Sequence, residues 1–206
     1  MGFGLRPAGN DGRWGPPTST LDWCEENYVV TPLIAEFWNA TSNLFFILLT
    51  VVGLFSVHEL GVTEARVYLS LWSIGAVGMG SFLFHSSLWY ETQMMDELPM
   101  IYGTCISVFA LLRVFPETNR NNHWLALGLF LYSAAVTAMY LKLNNPVFHE
   151  VCYGIIAAIL FLTPAAHIRH MNKNYPQYSD KISGLWNLYC VAWDSGTSGI
   201  SVEDCV

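Results

Sequence analysis

The stretch GSFLFHSSLWYETQMMDELPM, residues 80–100, ends one apolar segment and begins the next. Only a short loop separates the two segments, so one helix is predicted to end, and the next to begin, on the same side of a membrane. Ser81 and His85 are four residues apart and therefore share one helix face. Asp96 opens the second segment, with Pro99 predicted in its first turn. These side chains can therefore converge without unusual geometry.

The composition is that of a membrane protein. Of the 206 residues, 53% are hydrophobic and only 12% are charged, and the mean hydropathy is +0.36. Soluble domains have about a quarter charged residues. The net charge of −7 argues against a nucleic-acid partner, because phosphate binding needs a basic surface. The five cysteines are scattered without a CxxC pair, so the sequence predicts neither a disulfide framework nor a thiolate zinc site.

Five apolar segments are each near the length of about 20 residues that a helix needs to cross a bilayer. They cover residues 36–57, 66–88, 96–112, 124–141 and 148–167. Helices must carry these spans, since lipid offers no partner for open backbone groups. The predicted fold is therefore all-α, a polytopic transmembrane helix bundle. The small residues of GAVGMG, residues 75–80, predict close helix approach.

The chain divides into three regions by composition. Residues 1–34 form an acidic N-terminal segment, residues 35–170 the transmembrane bundle, and residues 171–206 a polar tail that we expect to be flexible. The basic residues, six on one side and three on the other, favour a lumenal N-terminus. With that topology, Glu36 lies on the same side of the membrane as His85 and Asp96.

The cluster of Ser81, His85 and Asp96 has several interpretations. It could serve nucleophilic chemistry, with Ser81 activated by His85. It could equally belong to a metal site, with His85 as a ligand and Asp96 holding the metal-bound water. A purely structural alternative makes His85 an interfacial residue and Asp96 a helix cap. The spacing alone leaves these alternatives open.

A second candidate site lies in STLDWCEENYVVTPLIAEFWN, residues 19–39, which contains four carboxylates and no basic residue. One interpretation is a capping box at Ser19, with acids in the first turn of a helix. That interpretation leaves Glu36 unexplained. A Ca²⁺ ion takes six to eight oxygen ligands and would account for the whole set. The oxygen-bearing side chains are those of Asp22, Glu25, Asn27 and Glu36.

Four stretches of the sequence resemble the alkaline ceramidase family. They are STLDWCEENY, IAEFWN, GMGSFLFHSSLWYETQMMDELPMIY and YLKLNNPVFHEVCYG, and the resemblance covers about residues 14–165. It is closest to the phytoceramide-cleaving members. The family is part of a wider superfamily of seven-span hydrolases and receptors, and the N-terminal acidic motif disfavours a receptor.

The resemblance implies a function and a set of site residues. The implied reaction is hydrolysis of the amide of ceramide or phytoceramide, taken from the bilayer, to a sphingoid base and a fatty acid by a zinc-activated water. His85 would be a zinc ligand, and Ser81 and Asp96 would belong to the catalytic centre. The implied calcium ligands are Asp22, Trp23 through its backbone carbonyl, Glu25, Asn27 and Glu36. The implied location is the membrane of the endoplasmic reticulum or the Golgi.

The sequence departs from the family pattern in one respect. The family's zinc site takes two more histidines from an HxxxH motif on the last span, and the 206 residues contain no HxxxH. Five spans are predicted here, against seven in the family. We therefore expect a C-terminally truncated and catalytically inactive product. The alternative to an enzyme is a non-catalytic or regulatory membrane protein.

Overall fold

The computed structural model describes residues 12–21, 23, 25–114 and 123–198, with side chains described as far as residue 191. Within these residues the regular structure is helical, which confirms the predicted all-α class. The α-helices are α1 (Phe37–Ser42), α2 (Leu44–Glu59), α3 (Ala65–Ser87), α4 (Tyr90–Leu112), α5 (His123–Leu143), α6 (Pro146–Asn174) and α7 (Ser179–Ser198), and a 3₁₀ turn covers Pro176–Tyr178.

Five helical stretches in the described part of the chain are long and apolar enough to cross a membrane, as predicted. They are Phe37–Glu59, which joins α1 and α2, followed by α3, α4, α5 and α6. Their outward faces are lined with apolar side chains such as Phe55, Trp72 and Phe130, which are well exposed. Because a bilayer covers such faces favourably, the chain is an integral membrane protein.

The start of α4 differs from the prediction. The helix begins at Tyr90 rather than at Asp96, so Asp96 is not its cap and Pro99 lies inside the helix rather than in its first turn. The hydroxyl of Thr18 explains the earlier start, because it accepts the N–H of Tyr90 at 2.9 Å and so satisfies a free donor at the helix N-terminus. That cap comes from a distant part of the sequence.

Glycines allow α3 to pack closely against its neighbours, as the small-residue pattern predicted. Gly75 lies against Thr50, and Gly78 against Phe46 of α2. At Gly80 the partner is backbone, since a Cβ there would lie only 2.0 Å from the carbonyl oxygen of Met95 in α4. The closest helix approach is therefore next to Ser81 and Asp96.

The N-terminal segment covers the turn between α3 and α4. Its described residues, 12–21, 23 and 25–36, contain no helix, so the capping-box interpretation of Ser19 is wrong. The segment is held instead by tertiary contacts. Leu88 has a left-handed φ of 53°, and its carbonyl accepts the N–H groups of Thr18 and Ser19. Ala35, Phe84 and Leu88 form a small apolar core beneath it.

The chain separates into two compact units, and the division falls at Ile156 and Ala157 within α6. In the second unit the last part of α6, the 3₁₀ turn and α7 form a helical hairpin, in which the hydroxyl of Tyr189 donates to the carbonyl of Phe161 at 3.1 Å. The region predicted as a flexible tail is therefore helical over residues 179–198, and residues 199–206 lie outside the described part. The apolar residues Ile182, Trp186 and Tyr189, at helical spacing, explain the difference.

Candidate active site

The end of α3 carries a row of buried polar side chains. Ser81 and His85 are 7% and 8% exposed, and Asp96 of α4 is 9% exposed. Polar groups buried at a helix end near the membrane surface are costly unless they are hydrogen-bonded or functional. The predicted hairpin therefore places its three candidate residues in one buried region.

The carboxylate of Glu36 bonds directly to Nδ1 of His85. Glu36 is fully buried, and its other oxygen accepts the N–H of Trp23 at 3.1 Å. Its position is fixed by the backbone, because the N–H groups of Ala35 and Glu36 donate to the carbonyls of Ser86 and His85 at 3.0 and 2.9 Å. Burial raises the pKa of the Glu36 carboxyl, whereas the His85 ring and the Trp23 N–H act in the opposite direction.

Asp96 lies on α4, next to the point where Gly80 of α3 packs against the backbone of Met95. The hydroxyl of Ser81 lies within hydrogen-bonding reach of its carboxylate. The short distance between the helices at Gly80 makes this convergence possible. The described hydrogen bond of the His85 ring joins Nδ1 to Glu36.

The predicted calcium residues lie around the same end, on the N-terminal segment. Glu25 accepts the N–H groups of Trp38 and Asn39 at 2.8 and 2.9 Å, and so caps the start of α1. The Oδ1 atom of Asn27 is buried and has no hydrogen-bond partner in the described part of the chain. Trp23 is half exposed. Asp22 lies outside the described residues.

The two expected metals differ in how well these residues fit them. No group of three or more His, Cys, Asp or Glu side chains among the described residues is close enough to hold a metal ion. Among the described residues His85 therefore has no further zinc ligand, and they do not complete a zinc site by themselves. The donor set is chemically better suited to calcium, because carboxylates and a buried amide oxygen that has no described donor are the hard oxygen ligands that it prefers.

A second buried polar cluster was not recognised in the sequence. The carboxylate of Glu97 accepts hydrogen bonds from Gln93 at 2.9 Å and from the hydroxyl of Tyr140. Its backbone carbonyl accepts a hydrogen bond from Nε2 of His149 at 2.9 Å. All four residues are buried. The available signal was that ionisable and amide residues within predicted spans are rare and require partners.

Two cavities, of about 340 and 410 Å³, lie within the second unit, beside Trp186. Their linings include Arg169, Ile182 and Tyr189 but none of the candidate site residues. They lie along the helical hairpin formed by the last part of α6 and α7.

Comparison with known proteins identifies relatives over most of the chain. The family described as ceramidase matches residues 15–199. Alkaline ceramidase 3 of Mus musculus is 47% identical over 152 residues, which are 73% of this chain and 56% of that protein. An alkaline ceramidase of Saccharomyces cerevisiae is 38% identical over 74% of this chain and 51% of its own length, and one of Arabidopsis thaliana is 32% identical over 71% and 56%. The chain thus spans about half the length of the curated relatives it matches.

Proposed function

The chain belongs to the ceramidase family, and we propose that it carries the reacting centre of a membrane amidohydrolase that cleaves ceramide-type lipids. The products would be a sphingoid base and a free fatty acid, with phytoceramide among the substrates. The observation that supports this proposal best is the convergence of Ser81, His85 and Asp96 at one buried end of α3 and α4. A buried carboxylate beside a hydroxyl and an imidazole can move a proton and stabilise an oxyanion.

Each residue has a distinct part in the proposed hydrolysis. Asp96 accepts a proton from the attacking water and passes it to the nitrogen of the leaving amine. Ser81 donates a hydrogen bond to the oxyanion that forms on the amide carbonyl. Glu36 holds the His85 ring in one orientation through Nδ1, which leaves Nε2 directed away from the carboxylate.

We further propose that His85 is one ligand of a zinc ion. Zinc would lower the pKa of a bound water and polarise the amide carbonyl. A catalytic zinc needs about three protein ligands, and the described residues supply one. A polypeptide of these 206 residues alone is expected to bind zinc weakly and to hydrolyse ceramide little.

The experiment compares two proteins in detergent or lipid nanodiscs. One is the 206-residue chain; the other carries, after Asn174, the C-terminal part of mouse alkaline ceramidase 3. We expect zinc and ceramide turnover in the chimera, both lost in His85→Ala, and loss of turnover with zinc retained in Asp96→Asn. Glu64→Gln, at an exposed ion pair, is the matched control. A chimera that binds ceramide and zinc but never cleaves the amide would refute the proposed reaction.

The non-catalytic alternative predicts a different outcome. It is favoured by the absence, within the described residues, of a complete cluster of metal-binding side chains. If the 206-residue chain folds and binds Ca²⁺ while lacking zinc and turnover, it is a binding or regulatory protein in that form. Stoichiometric zinc with turnover in the same chain would exclude this alternative and require ligands outside those described.

We also propose that Ca²⁺ is held by the N-terminal segment. The ligands would be the side chains of Asp22, Glu25, Asn27 and Glu36 and the backbone carbonyl of Trp23. The buried Oδ1 of Asn27, which has no hydrogen-bond partner among the described residues, supports this proposal. Asp22→Ala should lose the Ca²⁺-dependent rise in melting temperature, with Glu26→Ala as the control. Equal Ca²⁺ shifts in Asp22→Ala and the parent would refute it.

The membrane location and orientation are proposed from the same features. The apolar outer faces of α2 to α6 would lie in the bilayer of the endoplasmic reticulum or Golgi, and ceramide would enter the site from that bilayer. The N-terminus would be lumenal, with the reacting centre at the lumenal end. A protease-protection assay on sealed microsomes, with a tag before residue 12, tests this orientation. Cleavage of the tag without detergent would mean that the N-terminus is cytosolic.

A further inference from the structure

We propose that Gln93 is a positioning residue that fastens the N-terminal segment to α4 and so prepares the calcium-binding loop. This inference rests on the proposed calcium site but concerns a residue that has no described contact with its ligands. Gln93 is fully buried and lies one turn before Glu97 on α4. It connects the segment to the buried cluster of Gln93, Glu97, Tyr140 and His149.

The contacts of Gln93 use both ends of its amide. Oε1 accepts the backbone N–H of Thr20 at 2.8 Å, and Nε2 donates to the hydroxyl of Thr20 at 2.8 Å. The same Nε2 donates to Glu97 at 2.9 Å. Thr20 is two residues before Asp22, so this bond fixes the chain immediately before the first proposed ligand.

The loop that carries the proposed ligands is fixed at both ends. At its start, Thr18, Ser19 and Thr20 bond to α4 and to the carbonyl of Leu88. At its end, Ala35 and Glu36 bond to the last turn of α3. Most of these bonds are made by the backbone, which a substitution cannot remove. Side chains contribute at two points of this loop start: the hydroxyl of Thr18 accepts the N–H of Tyr90, and the amide of Gln93 joins α4 to Thr20.

Release of the segment would be costly because of what lies beneath it. Without Thr20, Oε1 of Gln93 would lose its described donor, while Nε2 would keep Glu97 and the longer contact with Tyr140. Glu97 would keep the hydrogen bond from the hydroxyl of Tyr140, but the Gln93 amide that also donates to it would no longer be fixed by Thr20. The buried cluster is therefore fully hydrogen-bonded only when the segment is docked, and a loop that is already ordered loses less entropy on binding an ion.

The test measures hydrogen exchange of residues 12–36 in the full chain without Ca²⁺, and then Ca²⁺ affinity by calorimetry. Gln93→Met keeps the size of the side chain and removes its hydrogen bonds. We expect exchange in this segment to accelerate about tenfold and the Kd for Ca²⁺ to rise about tenfold. Thr20→Val should produce a smaller change in the same direction. Thr20→Ser keeps the hydroxyl and should behave like the parent.

The control is Tyr102→Phe, which removes a 2.7 Å hydrogen bond to Thr137 between α4 and α5 at an exposed position. It should leave the exchange of residues 12–36 unchanged. Unchanged exchange in both Gln93→Met and Thr20→Val would overturn the proposal, as would additive effects of the two in the double variant. A parent chain that binds no Ca²⁺ would refute the calcium site alone, and the exchange rates would still decide whether Gln93 fastens the segment.

Discussion

The acidic end of the molecule has an inner and an outer layer that are built in different ways. The inner layer is Glu36 with Ser81, His85 and Asp96, and its side chains are buried between helices. The outer layer is Glu25 and Asn27 on the N-terminal loop, where backbone N–H groups hold the carboxylate. The inner layer thus depends on the distance between α3 and α4, and the outer layer on how the loop is fixed. Four substitutions test this difference.

Gly80→Ala should have the largest effect. The new Cβ would lie 2.0 Å from the carbonyl oxygen and 2.6 Å from the carbonyl carbon of Met95, and a backbone carbonyl cannot rotate away as a side chain can. We expect a loss of about 3 kcal/mol in unfolding free energy, measured by thermal melting in detergent. Gly128→Ala, where nothing lies within 4 Å, is the matched control and should not destabilise. Equal melting of the two variants would contradict the close helix approach.

Glu36→Leu should remove the side-chain contact between the N-terminal segment and the end of α3. It leaves the N–H of Trp23 and Nδ1 of His85 without their acceptor in a buried position. We expect a loss of about 2 kcal/mol. Glu64→Leu, at an exposed position paired with Arg66, should change stability by about 0.5 kcal/mol or less. A similar small change at Glu36 would mean that the buried pair offers no net stabilisation.

Glu25→Gln should affect the outer layer alone. The substitution keeps one acceptor for the N–H groups of Trp38 and Asn39 but loses the negative charge at the start of α1. A loss of about 1 kcal/mol is expected in chelator, because a charged cap is replaced by a neutral one. The neighbouring Glu26→Gln, at an exposed position, is the control. If Glu26→Gln costs as much, the effect comes from the overall charge and not from the cap.

Asn27→Ala should have the smallest effect in chelator and a clear one in Ca²⁺. Removing a buried oxygen that has no described donor costs little, so the melting temperature without Ca²⁺ should stay nearly unchanged. With Ca²⁺ in large excess, the parent should gain about 2 to 3 kcal/mol and the variant markedly less. Substantial destabilisation in chelator would show that Asn27 already has a structural partner and would contradict its role as a calcium ligand.

Much of the fold could be predicted from the sequence because bilayer thickness and backbone hydrogen bonding restrict a spanning segment to an apolar helix of known length. The hairpin around His85 follows from the same rule, as does the use of Gly75, Gly78 and Gly80 for close contacts. The start of α4 could not be predicted, because its cap is the hydroxyl of Thr18, far away in sequence. The helix α7 was missed because its apolar residues are diluted by polar ones.

The site was predicted less completely than the fold. Topology placed Glu36 on the same side as His85, but not in contact with it. That contact depends on two backbone hydrogen bonds between the N-terminal segment and the end of α3. The cluster around Glu97 was also missed, since its partners come from three helices and the N-terminal segment, and no local spacing relates them.

The sequence by itself determined that this chain crosses a membrane as helices, that one hairpin turn carries Ser81, His85 and Asp96, and that an acidic segment precedes the first span. These properties follow from local composition and from helix periodicity. Only the tertiary structure decided that Glu36 pairs with His85, that Gln93 holds Thr20, and that Asn27 keeps a buried oxygen without a described donor. Hydrogen bonds between distant segments depend on distances of a few tenths of an ångström, and those distances are set by packing.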